Sequence, residues 1–373
     1  MVLVLAPTAC DDGSAGAETE MVGSTSGESG ASSSSSAPST SGSSAATSMP
    51  GGSDSTTGMG PSGTSEGATT AEESSGSTDG GSTGEVELGE PVWMVVGNWG
   101  YRSWTRDGLS WDVEANPTQD TDHTPDLLRA VGWGNGYFIA VGGDANSMVM
   151  RSVDGEVWEE DLHPSGGQWK GGVAYGDGRW IAVGGVGTVI RSDDDGSTWV
   201  DHEERLPSAG RFVTHADGTF VAIGDNGMIA ISEDGESWTD RTQAGAQLGS
   251  AAFGSGTWVA AGRRWNGSGF DASCFVSTDT ETWTPCPFGG EYVGAFFADD
   301  RLFVALDSGY AVTEDGESWT VMDQSIPSAL AFADGVWVGA NGGRRYRGAS
   351  LDALEEVLSD ESGIRSFAMG YAP

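Results

Sequence analysis

One short phrase returns six times in the second part of the chain, and it constrains the fold more than any other feature. Its fullest copy is Ser192-x-Asp194-x-Gly196-x-Thr198-Trp199, and we call this pattern the repeat phrase. The copies end at tryptophans that stand 47, 41, 39, 45 and 36 residues apart, namely Trp111, Trp158, Trp199, Trp238, Trp283 and Trp319. Such intervals indicate a repeat architecture, and about 40 residues suit the four strands of one propeller blade.

A second recurring pattern is a short turn between two apolar runs. In the third repeat unit, Asp177-Gly178 separates the runs 173–176 and 180–184. This is a strong hairpin signal, because the turn residues need positive φ. Comparable turns stand at Asn135-Gly136, Asp217-Gly218, Ser255-Gly256, Asp299-Asp300 and Asp334-Gly335. Each unit therefore predicts a first strand, this turn, a second strand, a loop, a third strand, the repeat phrase and a fourth strand.

A seventh unit is divided between the two ends of the repeat region. The run 93–97 has no strand ahead of it, and the run 364–370 has none after it. Pairing the two runs completes one blade and closes a ring, which removes the exposed sheet edges of an open β structure. The sequence thus predicts an all-β fold, a seven-bladed β-propeller over residues 91–373 closed by its C-terminal strand.

The residues of the repeat phrase have a structural interpretation. The aspartate can accept hydrogen bonds from N–H groups of its own turn, the glycine permits a left-handed conformation, and the tryptophan buries a large apolar ring. Catalytic or calcium-binding carboxylates are the alternative, but a single active site does not need six copies. We therefore predict structural roles for Asp107, Asp154, Asp194, Asp234, Asp279 and Asp315, and for the six tryptophans that follow them.

The repeat phrase resembles the Asp-box, or BNR repeat, of sialidase-like propellers and related bacterial surface proteins. Residues 192–199 match that pattern in full, whereas the other five copies are one residue shorter and Thr280 replaces the glycine of the fifth. The resemblance implies a propeller whose repeat-phrase turns lie on the face opposite its binding face.

The first part of the chain has a different composition. Residues 11–90 are mostly Ser, Gly, Thr, Ala, Glu and Asp, and they predict a disordered low-complexity linker that cannot bury enough apolar area to fold. Residues 1–10 resemble the end of a bacterial lipoprotein signal peptide, truncated and without a basic region. This implies lipidation at Cys10 and an extracytoplasmic protein, lipid-anchored to a bacterial envelope membrane or secreted. A purely solubilising tail is the alternative.

Charge excludes one class of partner. The net charge is −38, and residues 1–90 carry thirteen acidic residues and no Lys or Arg, which leaves −25 for residues 91–373. Nucleic-acid binding calls for basic patches, so we expect no nucleic-acid partner. The four histidines lack metal-ligand spacing, and we expect no metal, no cofactor, a monomer, and membrane contact only through the lipid anchor.

Two further cysteines, Cys274 and Cys286, flank Thr280 symmetrically. In a hairpin centred on Thr280 they would face each other across the third and fourth strands, which predicts a disulfide and an oxidising compartment. Two buried thiols in a reducing compartment are the alternative.

Candidate binding residues lie in the loops at the end opposite the repeat phrases, where propeller function is expected to concentrate. Arginine can pair with carboxylates or phosphates, and aromatic rings can stack on sugars or peptides. The ligand-binding candidates are Trp99, Tyr101, Arg263, Arg264, Trp265, Tyr310, Arg344, Arg345 and Tyr346. They predict a non-catalytic, surface-tethered propeller that binds a protein or a glycan. Salt bridges between these arginines and the acidic surface are the alternative for the basic members.

An enzymatic alternative follows from the family resemblance, namely a sialidase-like glycoside hydrolase with a degenerate or absent active site. Such enzymes need an arginine triad, a tyrosine nucleophile with a glutamate partner, and an acidic proton donor. Glu291 and Asp271 supply the acidic residue types, but the Phe/Tyr-Arg-Ile-Pro segment expected ahead of the first phrase is absent. We therefore predict no catalytic residues.

Overall fold

Twenty-seven β-strands make up nearly all regular structure in the computed structural model, which describes residues 89–114, 127–144, 146–160, 167–265, 268–360 and 363–373. The strands form seven antiparallel sheets, which contact one another in a closed ring. This confirms the predicted seven-bladed β-propeller. The predictions for residues 1–88, including lipidation of Cys10 and the linker, lie outside the described residues.

Each blade begins with an innermost strand, and the innermost strands of neighbouring blades contact one another around the axis. From the axis outward, blade 1 contains β27 (Ile364–Ala372), β1 (Glu90–Gly97), β2 (Arg102–Thr105) and β3 (Asp112–Glu114); blade 2, β4 (Leu128–Gly134), β5 (Tyr137–Gly142) and β6 (Met148–Ser152); blade 3, β7 (Lys170–Gly176), β8 (Arg179–Gly184), β9 (Val189–Ser192) and β10 (Val200–Asp201); blade 4, β11 (Gly210–Ala216), β12 (Thr219–Gly224), β13 (Met228–Ser232) and β14 (Thr239–Asp240). Blade 5 contains β15 (Ser250–Gly254), β16 (Thr257–Trp265), β17 (Phe270–Ser277) and β18 (Thr284–Pro285); blade 6, β19 (Tyr292–Ala298), β20 (Arg301–Leu306), β21 (Gly309–Thr313) and β22 (Thr320–Met322); blade 7, β23 (Ala329–Ala333), β24 (Val336–Asn341), β25 (Arg344–Gly348) and β26 (Glu355–Ser359). In the described part of blade 2, the outer position holds a single bridge between Arg151 and Glu159.

The ring closes where the sequence predicts it. β27 pairs antiparallel with β1 from Glu90 opposite Ala372 to Gly97 opposite Ile364, so the C-terminal strand is the innermost strand of blade 1. β27 also contacts β23 of blade 7 and β4 of blade 2. Blade 1 is therefore built from two segments separated by almost the whole propeller.

The hydrophobic core lies between the blades. In the layer between blades 2 and 3, Trp180 is fully buried and clusters with Ile139 and Val141 of the preceding blade and with Ile190 of its own. Equivalent layers fill the other blade boundaries. Because each sheet buries both faces against neighbours, its stability depends on the completed ring.

Each repeat phrase forms a compact turn at one end of its blade. In the first copy, Oδ1 of Asp107 accepts the N–H groups of Leu109 at 2.7 Å and Ser110 at 2.8 Å, and the Thr105 hydroxyl donates to the same oxygen at 3.0 Å. The Ser110 N–H is the main cause that lowers the pKa of Asp107, against a partly opposing effect of burial. The same carboxylate bonding recurs in the other five copies. Each of these carboxylates therefore accepts hydrogen bonds within its own turn and stabilises that turn.

The two ends of the propeller differ in what they carry. We call the end with the repeat phrases and the turns between first and second strands the phrase face, and the opposite end the loop face. Phrases contact the hairpin turns of the preceding blade, as where Asn135 Nδ2 lies 2.6 Å from Asp195 Oδ1. The described chain begins at the phrase face, because Glu90 of β1 pairs with the end of β27 and lies 3.6 Å from Arg106 of the first phrase.

The structure joins Cys274 and Cys286 by a disulfide. The cysteines lie across the outer two strands of blade 5, and the Cys286 N–H donates to the Cys274 carbonyl at 3.0 Å. The bond therefore ties the outer edge of blade 5 to its third strand.

Candidate functional site at the loop face

Two of the predicted binding residues meet across the boundary between blades 7 and 1. Arg345 is fully buried and donates to Asp360 Oδ2 at 2.8 Å and to the Tyr101 hydroxyl, which itself donates to Asp360 at 3.0 Å. The guanidinium carbon lies 5.4 Å from the Tyr101 ring centroid and 5.5 Å from that of Trp111. Arg345 thus connects two blades from inside, where it offers a ligand almost no surface.

The other predicted residues do not converge on one pocket. Tyr310 is only 5% exposed and packs in the core beside Phe303, and burial raises its pKa. Arg263 pairs with Asp307 at 2.8 Å and lies 3.8 Å from Glu291, so it links blades 5 and 6.

The remaining members of the predicted set divide by exposure. Trp99 is exposed, Tyr346 is half-buried, and the exposed Arg344 lies 3.5 Å from Glu356. Arg264 and Trp265 end β16, and their side chains lie outside the described part of the molecule. Ligand binding by the accessible members stays a prediction.

A different set of residues comes together where the innermost strands begin at the loop face. Five of these strands carry a β-bulge at the same point, and a bulge leaves one residue unpaired and re-aims its side chain. The bulged residues are Arg365, Arg129, Gly171, Arg211 and Val293 in blades 1, 2, 3, 4 and 6. The bulge thus places arginines from three blades at the loop face.

Trp169 stands between two of these arginines. The guanidinium carbons of Arg129 and Arg211 each lie 4.8 Å from its ring centroid, a distance at which a cation is attracted by the electron-rich face of an indole. We call Arg365, Arg129, Trp169 and Arg211 the mouth arc. It spans four consecutive blades.

Two glycines make room for the Trp169 ring. A Cβ added to Gly171 would lie 2.9 Å from Trp169 Cζ3, and one added to Gly185 would lie 2.8 Å from Trp169 Nε1. Both distances are shorter than any side chain tolerates, so the ring sits against bare backbone. Gly171 occupies the bulge position that holds arginine in blades 2 and 4, and a Cβ there would meet the Gly210 carbonyl at 2.7 Å as well as the Trp169 ring.

The arginines of the mouth arc are oriented by neighbouring acceptors. Arg129 donates to the Gly143 carbonyl at 3.0 Å, and Arg211 pairs with both oxygens of Asp225 at 2.9 and 3.2 Å. Arg365 donates to Asn98 Oδ1 at 2.6 Å. These contacts hold the guanidiniums in place before any ligand arrives, which lowers the entropy cost of binding.

The single lysine of the chain lies directly beneath this arrangement. Lys170 follows Trp169, is fully buried, and donates from Nζ to the Gln168 carbonyl at 2.8 Å. Burial lowers its pKa to about 8, although the charge of Asp201 opposes the shift and that of Arg205 adds to it. Lys170 therefore anchors the backbone on the other side of Trp169.

The contribution of Lys170 to wild-type stability is expected to rise with pH from about 8 towards 10.5, because the folded state releases the Lys170 proton before the unfolded chain does. Within that window the unfolded chain binds more protons, so raising the pH favours folding. Lys170→Met should remove this slope and stabilise the protein at neutral pH by roughly 1–3 kcal/mol. Urea unfolding at neutral pH and at about pH 9.5 measures both effects. The exposed-site variant Arg344→Met serves as control and should keep the wild-type slope; an unchanged slope in Lys170→Met would contradict the assignment.

The mouth arc was missed at the level of sequence, although a signal for it exists. Arg129, Gly171 and Arg211 each stand six residues before the first residue of the hairpin turn in their blade, at Asn135, Asp177 and Asp217. Aligning the units on these turns, rather than on the repeat phrase, places the two arginines in one column. Trp169 gives no such signal, because its position depends on the glycines that it covers.

The described residues contain no group of three or more His, Cys, Asp or Glu side chains suited to a metal ion. Over the same ranges, no helix has the length and apolar character needed to cross a membrane.

No protein-family model matches the chain, and no curated protein matches it. Solved structures do resemble it in fold. YCF48 from Cyanidioschyzon merolae is 15% identical with a TM-score of 0.48, and the match covers 66% of this chain and 95% of that one. YCF48 bound to D1 peptide is 18% identical with a TM-score of 0.46, over 64% and 89% of the two chains. The WD40 domain of Neurospora crassa Pan2 is 14% identical with a TM-score of 0.49, over 69% and 82%.

Proposed function

We propose that this protein is a non-catalytic binding propeller that takes a protein or glycan partner at its loop face, with the mouth arc as the centre of the contact. The observation that carries the proposal is the Arg129–Trp169–Arg211 stack, which draws on three blades and on two glycines that leave it room. Guanidiniums beside a half-buried indole offer hydrogen-bond donors next to an apolar surface.

Chemistry at this face favours binding over catalysis. The carboxylates nearest to the mouth arc, Asp144 and Asp225, are paired with Arg129 and Arg211 and so orient arginines. Tyr310, one of the tyrosines that a sialidase-like mechanism would require as nucleophile, is enclosed in the core. These placements support the binding function over the hydrolase. The likeness of the repeat phrase to the Asp-box supports the loop face as the binding face, since that family's turns lie opposite its binding face.

The proposal also covers the location of the protein and the segment that tethers it. We infer that residues 1–90 tether the propeller outside the cytoplasm, as the lipoprotein-like start and the linker composition suggest. The described chain begins at the phrase face, beside Arg106.

Two substitutions test the proposed function. Arg129→Ala and Arg211→Ala are each expected to weaken binding to a printed glycan array, or to peptides selected from a random display library, by about tenfold or more, since each removes a charge-assisted contact. Arg191→Ala is the matched control, because Arg191 also pairs with acidic side chains but lies at the phrase face.

Three results would contradict the proposal. Equal loss in the Arg191 variant would show that the effect is not specific to the loop face. Unchanged binding in both mouth-arc variants would remove the mouth arc from the contact. Turnover of a fluorogenic sialoside would favour the hydrolase instead.

A further inference from the structure

Three loops on the loop face have the same two-residue turn. In blades 1, 3 and 4 the first turn residue is Trp99, Val186 or Asn226, with φ/ψ of 54°/39°, 51°/30° and 62°/26°. The glycine that follows each of them also has positive φ, at 67°, 71° and 74°. Two successive left-handed residues define the type I′ turn, for which Asn-Gly is the preferred pair. Blade 4 has that pair, whereas blades 1 and 3 do not.

Trp99 and Val186 are exceptions within the molecule itself. The described residues contain nine two-residue hairpin turns of this kind, and seven of them begin with Asn, Asp or Ser: Asn135, Asp177, Asp217, Asn226, Ser255, Asp299 and Asp334. Left-handed geometry is unfavourable for most side chains, and a β-branched residue there is an outlier. The fold thus tolerates an unfavourable residue at two positions where its own repeats show the favourable choice.

The unfavourable conformation of Trp99 and Val186 is not compensated by burial of their side chains. The Trp99 side chain is 70% exposed and that of Val186 is 68% exposed, so neither buries its apolar surface in the core. A residue kept in a costly conformation with most of its side chain in solvent points to a role outside the fold. Large exposed apolar side chains at loop tips are also what anchors of a protein interface look like before the partner is present.

Both tips adjoin the mouth arc. Asn98, next to Trp99, accepts a hydrogen bond from Arg365 at 2.6 Å, and the turn of Trp99 contacts β4, the strand of Arg129. Gly185, next to Val186, lies against the Trp169 ring. The two apolar tips and the arginines between them therefore form one continuous surface over blades 1 to 4.

We propose that Trp99 and Val186 are the apolar anchors of this surface and that its partner is a protein rather than a glycan. The proposal deepens the proposed function and rests on it. An indole can stack on a sugar, but an isopropyl group offers a glycan neither stacking nor hydrogen bonds, whereas an apolar cavity on a protein accepts both side chains. The intervening arginines, on an otherwise acidic propeller, complement carboxylates around such cavities.

A reciprocal exchange tests the conformational part of the inference without any partner. Val186→Asn places the preferred residue in blade 3, and Asn226→Val places the unfavourable residue in the same turn of blade 4. We expect Val186→Asn to raise the folding equilibrium constant about tenfold and the melting temperature by about 2–4 °C, and Asn226→Val to lower both by similar factors. If neither variant shifts the melting temperature, the turn carries no strain and the inference is overturned.

The partner class is tested with a random peptide display library. Peptides that bind the Trp99→Asn/Val186→Asn double variant are first depleted, and the remaining library is selected on the wild-type protein. We expect enriched peptides rich in apolar residues, whose binding weakens at least tenfold in each single variant and stays unchanged in the phrase-face variant Arg191→Ala. Because Val186→Asn should be more stable than the wild type, its loss of binding cannot come from unfolding.

The other outcomes separate this inference from the proposed function. Peptides recovered in the depletion step that depend on Arg129 and Arg211, with no peptide that requires the tips, would overturn the anchors and leave the binding function intact. A glycan bound on an array, with no peptide surviving depletion, would overturn the protein partner alone. No binding to either probe would contradict both.

Discussion

Deletion of β27, residues Ile364–Ala372, is expected to abolish cooperative unfolding of the propeller. β27 is the innermost strand of blade 1, pairs with β1 along its whole length, and contacts both neighbouring blades. Its Ile364, Phe367 and Ala368 are fully buried. Burial of that kind contributes about 1.5–3 kcal/mol for each large side chain, and losing β27 also exposes the edge of β1 and the faces of blades 2 and 7 that β27 contacts. The sum approaches the whole stability of a typical domain, about 5–15 kcal/mol.

The measurement is a thermal or urea transition followed by circular dichroism, in which the truncated chain should show no cooperative step. A circular permutant provides the matched control. Glu90 lies opposite Ala372, so placing residues 363–373 ahead of residue 89 through an Asp-Gly turn recreates the first hairpin that blades 2 to 7 already have. The permutant should unfold close to the wild-type midpoint. A truncated chain that retains a sharp transition would show that six blades suffice.

Substitution of Arg345 by alanine is expected to destabilise the protein by roughly 3 kcal/mol, the lower end of the cost of breaking a buried ion pair. The change removes the bonds to Asp360 and the Tyr101 hydroxyl, and it leaves a cavity between the Tyr101 and Trp111 rings. Asp360 is about one third exposed, with a side-chain exposure of 31%, so it regains part of its hydration and the cost stays at this lower end. Urea unfolding with a common m-value gives the difference.

The adjacent residue supplies the control. Arg344 has the same chemistry and an ion pair with Glu356, but its side chain is 62% exposed. Arg344→Ala should therefore change stability by less than about 0.5–1 kcal/mol, as exposed ion pairs do. Tyr101→Phe removes one partner of Arg345 and should cost less than the alanine variant, whereas Asp360→Asn removes the carboxylate paired with the fully buried guanidinium and should cost at least as much. Equal stability of the Arg344 and Arg345 variants would contradict the role of Arg345 as a link between blades.

Arg344 and Arg345 show why the candidate site was only partly predictable. They are neighbours in a basic, aromatic stretch, and the sequence treats them alike. In the structure their side chains alternate along β25, so one is exposed and the other is fully buried against blade 1. The partner of Arg345 in that blade, Tyr101, stands 244 residues away in the chain. No local pattern contains that information.

The fold could be predicted from the sequence far more fully than the candidate site, and single residues show why. Asp177-Gly178 predicts a hairpin because both residues accept positive φ, and both have it, at 47° and 78°. The runs 93–97 and 364–370 were paired because each lacked the strand that the other supplies, and β1 and β27 do pair. Trp99 and Val186 went unrecognised as turn anomalies, since a tryptophan or valine in a left-handed turn is what local preference argues against.

The sequence by itself determined the number of blades, the order of strands in each, the position of the closure and the face occupied by the repeat phrases. These depend on conformational preferences of a few adjacent residues and on a spacing that repeats. Only the tertiary structure decided that Arg345 is a buried link, that Arg129 and Arg211 flank Trp169, and that two apolar side chains stand exposed beside them. Those relations join residues from different blades, and closing the ring is the physical step that brings them within contact distance.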